Sequence, residues 1–395
     1  MRLTARLLAS TGALVVGGAA LAQAPAQSPG AAPQMEQMVD PFAIRAVPTP
    51  AAPPVLKKQS ADAEACANKD GKIAARARAE ACGKLIDSGK WKGGEIAWAY
   101  ANRCFALFEL KSAGKALADC DKAIELDGKN AVAFQTRGMI EKDGGQGDKA
   151  LADFDKALDL GANNPALFSD RGDLLMARGD ADKALADYDR LVARDGAPAR
   201  VYIQRGGAWL AKGDPDRAIA DFERAVKIAP NDPFALFNLG AAALLKGDKA
   251  KAVESLRQSM KSDPANIYTA LWLFLATGGP EGATELRKNS AKFSPRAWPG
   301  PVLRFDLGEI GSDKVLAEAR TADQQCEARF YLGAGLMAKK ADEEAKSDLA
   351  RAADICPKNY FEYFGAVAGL KALGGPAKAG APGAPPSKSD AGLRP

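Results

Sequence analysis

Histidine is absent from all 395 residues. Its absence excludes Ser-His-Asp and Cys-His nucleophilic chemistry, histidine-bound zinc and a histidine pH switch. No stretch reads G-x-x-x-x-G-K-[ST], so a phosphate-cradling loop of that type is also missing. The six cysteines include no CxxC pair, which leaves zinc without its usual thiolate spacing. Lys and Arg total 54 against 49 Asp and Glu, a net charge of +5 spread along the chain. No basic block marks a nucleic-acid surface. No metal, cofactor or nucleic acid is expected, and without a catalytic constellation the chain is not expected to be an enzyme.

The 39 Gly and 24 Pro concentrate at the two ends. Residues 1–22 read as a signal peptide. Arg2 and Arg6 form a positive start, LLASTGALVVGGAALA is the apolar run, and Ala20-Leu21-Ala22 offers small residues for cleavage before Gln23. The alternative, a retained membrane anchor, suits so short a Gly/Ala-rich run poorly. No Cys follows the run, so no lipid anchor is expected, and the mature chain is placed in the periplasm. Residues 23–60 and 373–395, rich in Ala and Pro, read as a disordered linker and tail.

Between them the chain repeats itself. ALADCDKAIEL, ALADFDKALDL, ALADYDRLVAR and AIADFERAVKI recur, with Ala116, Ala150, Ala184, Ala218 and Ala252 each 34 residues apart. Gly138, Gly172, Gly206 and Gly240 keep the same step, and Phe154, Tyr188 and Phe222 follow them at position 24 of the period. Apolar residues three and four apart give each helix one buried stripe. Gly179-Asp180, Gly213-Asp214 and Gly247-Asp248 are expected to end one helix and cap the next. A 34-residue period with a small residue at position 8 and Ala at position 20 resembles the tetratricopeptide repeat. The resemblance implies an all-α, right-handed superhelical solenoid of antiparallel helix pairs. Repeats are expected across 97–276, preceded by a degenerate helical repeat at 61–96. An irregular helical insertion at 277–325 and a last repeat with a capping helix at 326–372 follow.

The repeat frame organises the cysteines. In an antiparallel hairpin, positions of constant sum face each other. Cys104 and Cys120 stand at positions 8 and 24, and Cys326 and Cys356 at positions 1 and 31 of their repeats. Cys66 and Cys82 share the 16-residue separation of Cys104 and Cys120. Three bridges, 66–82, 104–120 and 326–356, are therefore expected; the alternative is reduced Cys serving as small core residues. Arg103, Arg137, Arg171 and Arg205 stand at position 7, and Asp119, Asp153, Asp187 and Asp221 at position 23. Those positions also face one another across a hairpin. The row reads as a structural ion-pair ladder, or alternatively as charges set out for a ligand carboxylate.

In tetratricopeptide families the first helix of each repeat lines the inner face, and the resemblance carries that geometry to an apolar row here. Trp98, Phe105, Phe108, Met139, Met176, Ile203, Leu210, Phe234 and Phe237 belong to it, with Tyr268 and Leu271 beyond. The row reads as a partner-binding groove for an apolar peptide or amphipathic helix. Two alternatives stay open: curvature buries these residues against each other, or the segment DPFAIRAVPTPAAPPVL fills the groove.

Residues 267–372 contain ALWLFLA, AWPGPVLRFDLGEI and CEARFYLGAGLMAKKADEEAKSDLARAADICPKNYFEYFGAVAGLKAL. Their order resembles the C-terminal part of envelope repeat proteins of the new lipoprotein I type. That resemblance implies a dimerising adaptor that brings a tail-specific protease to cell-wall enzymes. Two functions are therefore expected in competition: a periplasmic adaptor with protein or peptide partners, and a self-associating assembly protein with no separate client.

Overall fold

The computed structural model describes residues 60–68 and 71–374. The expected signal peptide, nearly all of the expected linker, and the tail beyond residue 374 lie outside the described residues. Two compact units divide what is described, one ending at Ala197 and the other starting at Pro198. The first contains α1 (Ala61–Ala67), α2 (Ala75–Asp87), α3 (Ala97–Glu109), α4 (Ala113–Leu126), α5 (Ala131–Asp143), α6 (Gly147–Asp159), α7 (Pro165–Arg178) and α8 (Ala181–Val192). The second contains α9 (Ala199–Ala211), α10 (Pro215–Ile228), α11 (Pro233–Lys246), α12 (Lys249–Ser262), α13 (Ile267–Thr277), α14 (Gly279–Ser290), α15 (Gly300–Asp306), α16 (Ser312–Glu318), α17 (Ala322–Ala338), α18 (Asp342–Ile355) and α19 (Phe361–Ala372). Both units are helical solenoids of paired antiparallel helices.

Helices α3, α5, α7, α9, α11 and α13 each start 34 residues after the one before. Four of these starts, those of α5, α7, α11 and α13, are set by polar residues that leave the helical conformation. Asn130, Asn164 and Asn266 accept hydrogen bonds from Ala133, Leu167 and Thr269 backbone N–H groups. Asp232 accepts one from Phe234, and Pro233 occupies the first turn. Such caps satisfy amides that have no partner inside the helix.

The turn between paired helices follows the expected chemistry, with one exception. Gly179 and Gly247 end α7 and α11 in the left-handed conformation, φ 84° and 92°, where a side chain would be strained. Asp214 and Asp248 then cap α10 and α12 through Arg217 and Lys251 N–H groups. Asp180 does not cap α8. Its carboxylate instead lies 3.8 Å from Arg178 Nε.

The paired helices meet closest at positions 8 and 24. A Cβ placed on Gly138 would sit 2.7 Å from Phe154 Cε1. The same construction puts one 2.6 Å from Tyr188 at Gly172, 2.5 Å from Phe222 at Gly206, and 2.6 Å from Leu256 at Gly240. Gly333 repeats the approach against Leu349 at 2.6 Å. Phe154, Tyr188 and Phe222 are fully buried, so their rings have no free space to move into. In the α3–α4 hairpin, Cys104 and Cys120 occupy the same pair of positions and are bonded.

The expected insertion at 277–325 begins later than its sequence suggested. Helix α14 packs back on α13, so a sixth hairpin is completed before the irregular stretch. The short helices α15 and α16 then lie against α17.

Gly172→Ala is expected to destabilise the chain by about 1–3 kcal/mol, because overpacking forces a buried ring or a helix to move. Gly114→Ala on α4, with nothing within 4 Å of its added methyl, should be neutral or stabilising by up to about 1 kcal/mol. Equilibrium denaturation of the two variants checks the contrast.

Candidate functional site

The position-7 arginines and position-23 aspartates pair within each hairpin. Arg103 Nε and Nη2 donate to Asp119 at 2.6 and 2.7 Å. Arg137 does the same to Asp153 at 2.7 and 2.9 Å. Arg171 reaches Asp187 at 2.8 and 2.6 Å, and Arg205 reaches Asp221 at 2.8 and 2.7 Å. All four are two-pronged, the geometry that suits a guanidinium fork to a carboxylate. For Arg137 and Arg171 of the first unit the remaining prong reaches the preceding repeat. Arg137 Nη1 donates to Asp121 at 2.8 Å and Arg171 Nη1 to Asp155 at 2.7 Å. Each of those arginines therefore fastens two carboxylates from consecutive repeats.

Aromatic neighbours complete the cradle. The guanidinium of Arg103 lies over the Tyr100 ring at 5.5 Å, and that of Arg137 over Phe134 at 5.5 Å. The hydrogen bonds these two arginines donate to Asp119 and Asp153 hold them above their usual proton affinity, against the opposing effect of burial. Two donors of each arginine are taken up by the two oxygens of its aspartate, so the charges of the ladder are paired within each hairpin. Its geometry is structural.

A fifth pair escaped the sequence reading. Arg329 Nη1 donates to Asp348 at 2.5 Å. Asp348 stands at position 23 of its repeat, but its arginine stands three residues before position 7. The α11–α12 hairpin has Leu239 and Ser255 at the two ladder positions, so no such pair forms there.

The apolar row does not line an open groove in the folded chain. Trp98, Phe105, Met139, Met176, Ile203, Leu210 and Phe237 are all buried, Phe108 is half-buried, and Phe234 alone is exposed, at 52%. The reason is packing between successive hairpins. In the first unit Phe105, Met139 and Leu167 join Phe154 in one cluster, with Phe108 packed against it. The Arg78 guanidinium covers Phe105 at 5.1 Å. In the second unit the cover comes from the C-terminal helices. Phe361 of α19 meets Phe237 edge-on at 5.8 Å, and Trp272 meets both rings. The segment DPFAIRAVPTPAAPPVL lies outside the described residues.

A shallow recess of about 160 Å³ lies between α6 and the α7–α8 hairpin, lined by Leu151, Asp155, Arg171, Leu175, Arg178, Asp180, Lys183 and Ala186. Its Arg171 and Asp155 are already paired with each other. Among the described residues no group of three or more possible metal ligands comes together. No described helix is long and apolar enough to cross a membrane.

Three disulfides are present, Cys66–Cys82, Cys104–Cys120 and Cys326–Cys356, as the repeat frame predicts. Each joins the two helices of one hairpin or their immediate flanks.

The sequence reading also missed three buried acids. Asp306 on α15 has neither oxygen hydrogen-bonded. Burial pushes its carboxyl up to about 8, with Lys339 opposing. Glu327 and Glu362 lie within the aromatic cluster of the second unit and are fully buried. The only hint in the sequence is that CEARFYLG and NYFEYFG each set a glutamate among aromatic residues.

The tetratricopeptide repeat family model matches residues 136–198, 169–233 and 210–267. Over those residues the chain carries tetratricopeptide repeats, and the described residues form a solenoid of paired antiparallel helices typical of that fold. This fold is a binding architecture and not a known catalytic type. Similar solved structures include YrrB, described as a repeat protein with an unusual peptide-binding site. It is 28% identical over 48% of this chain and 96% of its own, with a TM-score of 0.45. MamA from Desulfovibrio magneticus RS-1 is 22% identical over 45% and 99%, with a TM-score of 0.41. PilF from Pseudomonas aeruginosa is 16% identical over 54% and 96%, with a TM-score of 0.46. No curated protein matches the chain. The likeness to the new lipoprotein I type finds no support among these comparisons.

Arg171→Met should cost about 3 kcal/mol, because it strands the buried Asp187 carboxylate. Arg171→Met with Asp187→Leu should cost less than Arg171→Met alone. A denaturant-based double-mutant cycle measures the difference. Peptide mapping without reductant should recover the three disulfides, and Cys104→Ser with Cys120→Ser should lower stability by about 3 kcal/mol.

Proposed function

We propose that this solenoid is an exported scaffold that assembles with protein partners, chiefly further copies of itself. One observation carries the reading. The hairpin array satisfies its own ladder and buries its own apolar row, yet leaves Phe234 half exposed on the first turn of α11. Ile228, at the end of α10, is exposed as well. A large aromatic left in water on a rigid support suits a contact anchor. The three disulfides favour an oxidising compartment, and with the signal-like N-terminus they support the periplasm.

The narrower reading, an adaptor linking a tail-specific protease to cell-wall enzymes, rests on the C-terminal resemblance alone. Sedimentation of the exported full chain separates the two. Self-association that weakens at least about tenfold in Phe234→Asp, a loss of about 1.4 kcal/mol, supports the assembly scaffold. Self-association unchanged in Phe234→Asp moves the contact off α11. A monomeric chain that recovers a protease or wall hydrolase from an envelope extract replaces this reading with the adaptor.

A further inference from the structure

The aromatic cluster of the second unit encloses two glutamates. Glu327 is on α17 and Glu362 is in the first turn of α19. Tyr268 Oη of α13 donates to Glu327 Oε2 at 3.0 Å, and Trp298 Nε1 donates to the same oxygen at 2.7 Å. Tyr331 Oη of α17 donates to Glu362 Oε1 at 3.3 Å and itself accepts from Trp272 Nε1 at 3.0 Å. Every donor therefore serves one oxygen per carboxylate. Glu327 Oε1 and Glu362 Oε2 are buried with no hydrogen-bond partner. No ion pair with either glutamate exists among the described residues. The other ionisable groups that act on Glu327 and Tyr331 are acids or phenols, Asp323 on α17 and Tyr268 on α13; Tyr360, at the start of α19, feels both glutamates.

Two ionised carboxylates in such a place would carry the full cost of a buried, unpaired charge, increased by mutual repulsion. A cation must compensate. No described group of three or more possible metal ligands is available, and both side chains are fully enclosed. A proton is the one cation that needs no cavity. It removes the charge from the carboxyl it binds, which is the larger part of the burial cost.

We infer that Glu327 and Glu362 form a proton-held latch that keeps α19 closed over the aromatic cluster, and that losing the proton releases the helix. The inference does not depend on what the scaffold binds. Helix α19 is the last element described, and it packs on α11, α17 and α18. Its approach is close: a Cβ on Gly365 would collide with the Phe330 ring. A terminal helix opens at lower free energy than a central one. Opening would expose Phe361 together with the Phe237 and Trp272 rings it now covers.

The direction of the pH effect follows from linkage. Burial, and for Glu327 also the charge of Glu362, raise both carboxyls above the ordinary glutamate value of about 4.3. The folded state then binds more protons than the unfolded one above about that pH, so stability falls as pH rises. The contribution is complete in acid and is lost as the pair deprotonates. Asp306 shifts in the same direction, but it lies beside Lys339 and apart from this network.

Hydrogen exchange of the full chain, corrected for the intrinsic pH dependence of amide exchange, tests the latch. Protection of the α19 amides should fall by about tenfold or more between about pH 6 and about pH 9. Glu327→Gln with Glu362→Gln should abolish that fall, and Asp306→Asn should retain it. Unchanged protection in the wild type overturns the inference, as does a fall that survives in the double variant. A fall removed only by Asp306→Asn, or added calcium restoring protection at high pH, also overturns it. If the double variant does not fold, infrared spectroscopy of the single variants decides. A protonated-carboxyl band at neutral pH, diminished by either glutamine substitution, supports the latch, and its absence in the wild type refutes it.

Discussion

Two helices approach one another most closely at positions 8 and 24 of each repeat, and the neighbouring contacts follow from that approach. Where position 8 is glycine, a ring or leucine from the facing helix lies where a Cβ would have to be. Removing the side chain on one helix lets the other insert its own, and the pair becomes a tightly packed hairpin. The ladder positions are adjacent, at 7 and 23, so the same approach brings each arginine fork within reach of its aspartate. In the α3–α4 hairpin the contact is made covalent by Cys104 and Cys120. Glycine against ring, and sulfur against sulfur, are two solutions to one spacing.

Because the period is constant, this local geometry determines much of what lies beyond it. Arg137 and Arg171 bind the aspartate of their own hairpin and one from the preceding repeat. The nearest-neighbour coupling typical of repeat proteins thus has an identifiable side chain here. A row of residues that looks like a ligand surface in the sequence is in fact used to hold repeats together.

Features set by the period were legible in the sequence: the helix pairs, the Arg103–Asp119 type of contact and the cysteine partners. All of these involve residues whose spacing within a hairpin is fixed. What was not legible depends on non-periodic contacts. Trp98, Phe105 and Phe237 read as groove residues because their helical face was correct, but the sequence does not show what covers that face. The cover over Phe237 is Phe361, 124 positions away. Likewise Glu327 and Glu362 have no pattern of their own, and only the folding back of α17 and α19 encloses them. Arg329 was missed because the last repeat moves its arginine along the helix while keeping Asp348 in place.

The positions of the disulfides affect how the array comes apart. Linear arrays unzip from their free ends, since a terminal repeat has only one neighbour. The covalent ties lie in the hairpins of α1–α2, α3–α4 and α17–α18, and the hairpins between them carry none. Fraying of the first unit from α1 therefore meets two tied hairpins before it reaches α5, and fraying of the second from α19 meets the tied α17–α18 hairpin. The glycine-packed interior can be held by weak forces alone because the places where unravelling would start are held by bonds.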